Sequence, residues 1–165
     1  MSLAWLDYFA LATALSGAVA TPPPPSDEIL SKLREQPEAC LLSAISRAYY
    51  AAFHGARSYV RTHRPGVTIP AHGGAHETVW NALADEGGSL KERAASIEGQ
   101  RLKGLRTKAD YRRREIRNLP VETAKALQQA KNVLSSRPAC FEAPPAPRTP
   151  ARPCCPDRRD RVAPE

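Results

Sequence analysis

Apolar residues recur along this chain at intervals of three and four, the spacing of one helix face, and no segment alternates like a half-buried strand. The clearest run is Leu42, Ile45, Tyr49, Ala52 with Phe53, Ala56 and Val60, which predicts a one-sided core helix from Glu38 to about Thr62, started by Pro37. Before it, Leu3, Leu6, Ala10 and Thr13 with Ala14 fall near one line, with Trp5, Phe9 and Ala12 beside it, predicting a first helix that packs by that line. Thr21-Pro-Pro-Pro-Pro25 ends this helix in a polyproline linker, and Ser26 followed by Asp27 and Glu28 offers an N-cap for a short helix to about Glu35.

Past the long helix, Pro65, Gly66, Pro70 and Gly73-Gly74 mark a loop, and a helix runs from about Ala75 to Glu86 until Gly87-Gly88 stops it. Ser89-Leu-Lys-Glu92 has the spacing of a capping box and opens a helical region to about Asn118, with Gly99 and Gly104 as weak points where it can break. Pro120 starts a last helix to about Ser135, whose packing edge reads as Val121, Ala124, Leu127, Lys131 and Leu134. The body is therefore expected to be all-α, without internal repeats.

Composition divides the chain in two. Leu, Ile, Val and Phe are concentrated before Arg137; from Arg137 to Glu165 only Phe141 and Val162 belong to that set, among many prolines and arginines. Such a segment has too little to bury to offset the entropy of ordering, so we expect a helical domain over 1–136 and a disordered tail over 137–165. The apolar start, ending in Ala-Val-Ala, mimics a secretory signal but lacks a leading Lys or Arg and carries Asp7, so a packing helix and a cytoplasmic protein are expected. Nothing approaches the length of uncharged apolar chain that spans a bilayer, which predicts no membrane insertion. The four cysteines, Cys40, Cys140, Cys154 and Cys155, form no Cys-x-x-Cys, in keeping with a reducing compartment.

The net charge is +7, and Lys91 to Arg117 carries most of it, with ten Lys and Arg against four acids. A concentration of this kind favours polyanions. Lys103, Lys108, Arg112 and Arg113 are candidate phosphate contacts, with Arg114 beside them; the competing reading is a solvated helix surface with internal ion pairs such as Arg106–Asp110.

Three runs stand in order: Ser43-Ala-Ile-Ser-Arg-Ala-Tyr-Tyr-Ala-Ala-Phe-His54, His76-Glu-Thr-Val-Trp80, and Gly99-Gln-Arg-Leu-Lys-Gly-Leu-Arg-Thr-Lys-Ala-Asp-Tyr111. The combination resembles the HEPN superfamily, in particular small bacterial and archaeal members with an Arg-Ala-Tyr-Tyr run on one helix and Arg-x-x-Ala-Asp-Tyr on a later one. The resemblance covers about Trp5 to Leu134. It implies an up-and-down bundle of four to five helices, a homodimer, and work beside a nucleotidyltransferase partner in a toxin–antitoxin or phage-defence type system. Many members are metal-independent endoribonucleases, in which an Arg is followed after four to six residues by a His.

That chemistry needs both residue types. An imidazole, with a free pKa of about 6.5, can take a proton from a ribose hydroxyl at neutral pH, while a guanidinium holds the phosphate. Here the matching Arg106 is followed, after four residues, by Tyr111, and a phenol with a free pKa of about 10 is a poor general base at pH 7. Tyr111 can still stack on a base or donate a hydrogen bond. Arg47 and His54, with six residues between them, satisfy the same spacing on the earlier helix, sharing a face roughly 10 Å apart along the axis. Arg61 extends this line, with Tyr50 and Arg57 beside it, giving a basic, aromatic stripe next to the core face that reads equally as a ligand contact or as a solvated face whose long side chains cover neighbouring helices.

Other signals fail on their own terms. His72 and His76 lack further ligands, and Trp80 stands where a His-Glu-x-x-His motif requires its second histidine. No phosphate-cradling glycine motif is present, so no metal or cofactor is implied. The sequence thus points to a HEPN-type protein that binds RNA or a nucleotide between the Arg47 and Arg106 helices, with weak or no catalysis. Its alternatives are a metal-independent endoribonuclease and a helical protein-interaction module.

Overall fold

The computed structural model describes residues 5–20 and 35–136. The polyproline linker, the short helix from Ser26, Leu3, Cys140, Cys154, Cys155 and the whole 137–165 tail lie outside the described residues. Within them the chain forms five α-helices and no strand: α1 Trp5–Ala20, α2 Pro37–His63, α3 Ala75–Ala84, α4 Leu90–Tyr111 and α5 Leu119–Ser135, with a 3-10 turn, Arg113–Glu115, between α4 and α5. None of these helices is long and apolar enough to cross a membrane.

Local chemistry sets most of the boundaries. Pro37 occupies the first turn of α2, where a missing N–H costs nothing. Gly73 and Gly74 carry φ of 54° and 66°, a left-handed pair that turns the loop into α3 and that side-chain-bearing residues rarely adopt. Ser89 caps α4: its hydroxyl accepts from the Glu92 N–H at 3.2 Å, and the Glu92 carboxylate accepts from the Ser89 N–H at 2.6 Å. Asn118 caps α5 by accepting from the Val121 N–H at 3.3 Å.

α2 is the axis of the bundle and contacts the other four helices. Its buried side chains include Ala44, Ile45, Ala48, Tyr49, Ala52, Phe53, Ala56 and Val60, the face that the spacing predicts. Alanines supply much of the contact surface, with Ala12 from α1 and Ala126 and Ala130 from α5 also buried. Small residues let helix backbones approach closely, and a few large groups, Tyr49, Phe53, Trp80 and Leu102, fill what remains.

One open point is decided, and two expectations are corrected. α4 runs unbroken through Gly99 and Gly104, because its hydrogen-bond ladder tolerates single glycines and Gly99 is needed for close packing. α5 buries Thr123, Ala126, Ala130 and Val133, whereas Val121, Ala124 and Lys131 are exposed and Leu127 and Leu134 half-buried; the smaller residues win the interior because α5 lies close against α2 and α4. α1 buries Ala12 and Ala18, while Leu6, Ala10, Thr13 and Ala14 are exposed. A helix that is apolar almost all round offers no periodic contrast from which to choose a face.

Glu92 ties three elements together. It accepts from the Tyr59 hydroxyl at 3.0 Å and pairs with Arg64 at 3.3 Å while completing the cap of α4. Burial alone would push its carboxyl up, but the Ser89, Tyr59 and Arg64 bonds outweigh that and hold it below the usual carboxylate value. A lowered folded-state pKa means that the unfolded chain binds the proton more readily. The stabilisation is therefore present above the unfolded carboxylate value and is lost as pH falls through the lower folded one. Melting temperatures measured between about pH 3 and pH 7 should show an acid-side decline that is shallower in Glu92→Gln, and an unchanged slope would remove this role.

Candidate functional site

On the outer side of α2, Ser43, Ser46, Arg47 and Tyr50 follow one another at three, one and three residues and so share a face. Opposite them α4 presents Arg106 and Asp110. These six, with Leu42, line an open pocket of about 330 Å³. Arg47, Tyr50, Arg106 and Asp110 were expected here from the sequence; Ser43 and Ser46 were not, although their helical spacing from Arg47 and Tyr50 was the available signal.

Arg106 is held from two sides. Its Nε lies 2.6 Å from Asp110 Oδ2 and its Nη2 donates to the Tyr50 hydroxyl at 2.9 Å. Asp110 in turn accepts from Ser46 Oγ, so α2 and α4 are bridged at two points. The guanidinium also lies 5.4 Å from the Tyr50 ring and 5.6 Å from the Tyr111 ring. Tyr111 is 72% exposed at the end of α4, available to solvent rather than buried as a catalytic group. The fixed geometry of Arg106 suits it to present donors to an anion without losing side-chain freedom on binding.

Arg47 and His54 share one face, and α1 enters between them. The Tyr8 ring stacks on His54 at 5.6 Å, and the Arg47 guanidinium lies 5.9 Å from the same ring. Sequence spacing gave no sign of Tyr8, since nothing local fixes where α1 lands on α2. Burial and then the Arg57 charge hold His54 below its usual value, so it is neutral at pH 7. His54 does not line the pocket, and Arg61 is exposed beyond it.

The most consequential residue that the sequence reading weighed only as a metal ligand is His76, near the start of α3. Its Nδ1 shares a 2.6 Å hydrogen bond with the Tyr49 hydroxyl, and its ring lies 4.0 Å from Phe53 and 6.4 Å from Tyr50, centroid to centroid. Burial pushes the Tyr49 phenol up to about 12 against the opposing pull of the Trp80 indole and Arg106, so it stays protonated. Burial, followed by the charges of Lys103, Arg106, His54 and Arg57, lowers His76.

The expected phosphate contacts separate. Lys103, three residues before Arg106, acts on His76, whereas Lys108 is two residues past Arg106, about 200° around the helix, and exposed. Arg112 and Arg113 are exposed at the α4 exit; Arg112 lies 3.8 Å from Glu115, and Arg113 pairs with Glu38 at the start of α2. Arg114 is exposed beside them. No group of three or more His, Cys, Asp or Glu side chains is assembled to hold a metal among the described residues.

The arrangement can offer two guanidinium groups and the Ser43 hydroxyl, with the one carboxylate engaged by Arg106 and Ser46 and a tyrosine face beside them, which suits a phosphate or other small anion. Comparison of the chain with protein-family models, with curated proteins and with solved structures finds no match in any of the three.

Proposed function

We propose that this chain binds RNA or a nucleotide in the groove between α2 and α4, as a HEPN-like protein with weak or no cleavage. The observation that carries this is the pocket that joins Arg47 to Arg106, a residue already pinned by Asp110 and Tyr50. The basic α4 surface draws in the polyanion, and the groove holds a phosphate. A cytoplasmic homodimer working beside a nucleotidyltransferase in a toxin–antitoxin or phage-defence type system is the setting that the sequence resemblance supplies for this reading.

Single-stranded RNA affinity should fall as salt rises, and Arg47→Gln and Arg106→Gln should each flatten the log–log slope by about 0.7. Lys108→Gln, on the far side of α4, should change it much less. Filter binding across a salt series measures both, and equal slopes in all four proteins would remove the groove from the binding surface.

An endoribonuclease is the second reading, supported by the Arg47, Tyr8 and His54 array and its neutral imidazole. Metal-free cleavage of labelled RNA that disappears in both His54→Ala and Arg47→Ala, with folding intact by circular dichroism, would replace the binder with the enzyme.

A further inference from the structure

Tyr50, at the edge of this pocket, also faces away from it, with the His54 and His76 rings 6.2 and 6.4 Å from its own. There the carboxylate is left behind: Lys103 lies seven residues before Asp110 on α4, about 10 Å along the helix axis. On the α2 side stand His54 and Arg57, and α3 brings in His76. Arg57 has a buried Nε with no hydrogen-bond partner among the described residues. The groups acting on the His76 charge are the cations Lys103 and Arg106 from α4 and Arg57 from α2, joined by His54 only where it too is protonated. Tyr49 and Tyr50 also face it, and burial, which pushes the Tyr49 phenol up to about 12, keeps that group protonated. On its own element, Glu77 is exposed, as is His72 in the preceding loop.

An imidazole so placed is poised for an anion. One nitrogen, Nδ1, is engaged by Tyr49 at 2.6 Å, which fixes the ring and leaves Nε2 for a ligand. The residue is half-buried, so solvent and ligand can reach it. Without a ligand, its surroundings oppose a further positive charge. A phosphate among the same cations reverses that balance.

We propose that His76 is a ligand-contacting residue of this groove and takes up a proton from solvent when backbone phosphates of single-stranded RNA occupy the space flanked by Arg57, Lys103 and Arg106. The inference rests on the phosphate-binding reading of the groove and extends it to a second part of the site. On protonation the Tyr49 contact persists, with Nδ1–H donating to the phenol oxygen, while Nε2–H donates to the phosphate. Because the free protein holds His76 below its usual value and the bound phosphate raises it, affinity should rise as pH falls between the two values and level off below the lower one.

The test is isothermal titration calorimetry of the full chain with a short oligouridylate lacking terminal phosphates, so that no ligand group titrates near neutrality. Runs in buffers of different ionisation enthalpy, from about pH 5.5 to pH 8, count the protons taken up, and the affinity should change by up to about tenfold per pH unit. His76→Gln should abolish the uptake while still binding at the highest pH, and His54→Gln should retain it. Uptake that persists in His76→Gln, or is lost only in His54→Gln, overturns the inference. Lys103→Gln leaves the Tyr49–His76 contact in place and should move the uptake window to higher pH, so it serves if His76→Gln does not fold; an unmoved window counts against the proposal. Displacement of the oligouridylate by inorganic phosphate at matched phosphate concentration would assign the space to free phosphate and overturn the polymer. Salt-sensitive binding without proton uptake removes His76 alone, whereas no binding at low salt removes the groove reading with it.

Discussion

Gly99→Ala should destabilise the protein by on the order of 3 kcal/mol, although alanine is intrinsically the better helix former. A Cβ at Gly99 would stand 2.3 Å from Trp80 Cζ3 and 2.5 Å from both Cε3 and Cη2. The indole cannot step aside cheaply. It is 1% exposed, with Tyr49 and Phe53 at centroid distances of 6.5 and 6.4 Å. Nor can α3 lift off α4 without cost, because the buried Ser96 hydroxyl donates to the Trp80 carbonyl at 2.7 Å and would lose its partner. Gly104 supplies the contrast within the same helix. Nothing lies within 4 Å of a Cβ built there, so Gly104→Ala should stabilise by roughly 0.5–1 kcal/mol through helix propensity alone. Urea titration of the two variants should give shifts of opposite sign, and matching shifts would mean that α3 does not pack on α4 through this indole.

The same glycine shows where sequence reading loses its grip. In sequence, Gly99 and Gly104 look alike, two weak points in a helix, and only the partner helix distinguishes them. What was legible in advance was local. Pro37 at the start of α2, the Ser89 capping box and the turn at Gly87-Gly88 act within a few residues, and the large residues of α2 alternate with charged ones strongly enough to fix its face. α1 and α5 defeated the same method for physical reasons. Where Ala, Leu and Val stand side by side, burial is decided by how closely a neighbouring backbone approaches, and alanine is favoured at that contact over a larger residue one position away.

The candidate site divides along the same line. Arg47, Tyr50, Arg106 and Asp110 were legible because each pair sits on one helix at a spacing that puts both side chains on one face. Lys108 could have been set aside on the same ground, since two residues from Arg106 is nearly the opposite face. Tyr8 was not legible at all, and of His76 only its place at a helix start was, not the company it keeps. Each enters from a separate helix, and its place depends on how α1 and α3 dock on α2, information that no short spacing carries.

Phe53→Ala should cost about 3–5 kcal/mol, against a small fraction of that for Arg61→Ala on the exposed side of the same helix. Phe53 is 4% exposed and packs against Tyr49 at 6.2 Å, Trp80 at 6.4 Å and His76 at 4.0 Å. Truncation therefore removes a large apolar group and opens a void between α2 and α3 that rigid rings on three sides cannot close. The loss should also reach the site. Burial is the first cause of the lowered His76 value, and the Phe53 ring supplies the nearest apolar wall, so admitting water beside the imidazole should move its titration back towards about 6.5. Phe53→Leu, which keeps most of the volume, gives a variant in which this can be read even if Phe53→Ala unfolds. Its stability loss should be smaller, and NMR titration of the His76 ring should show a midpoint above that of the unmodified protein. A midpoint that does not move in Phe53→Leu would mean that the charges of Lys103, Arg106 and Arg57, rather than the apolar wall, set the protonation of His76.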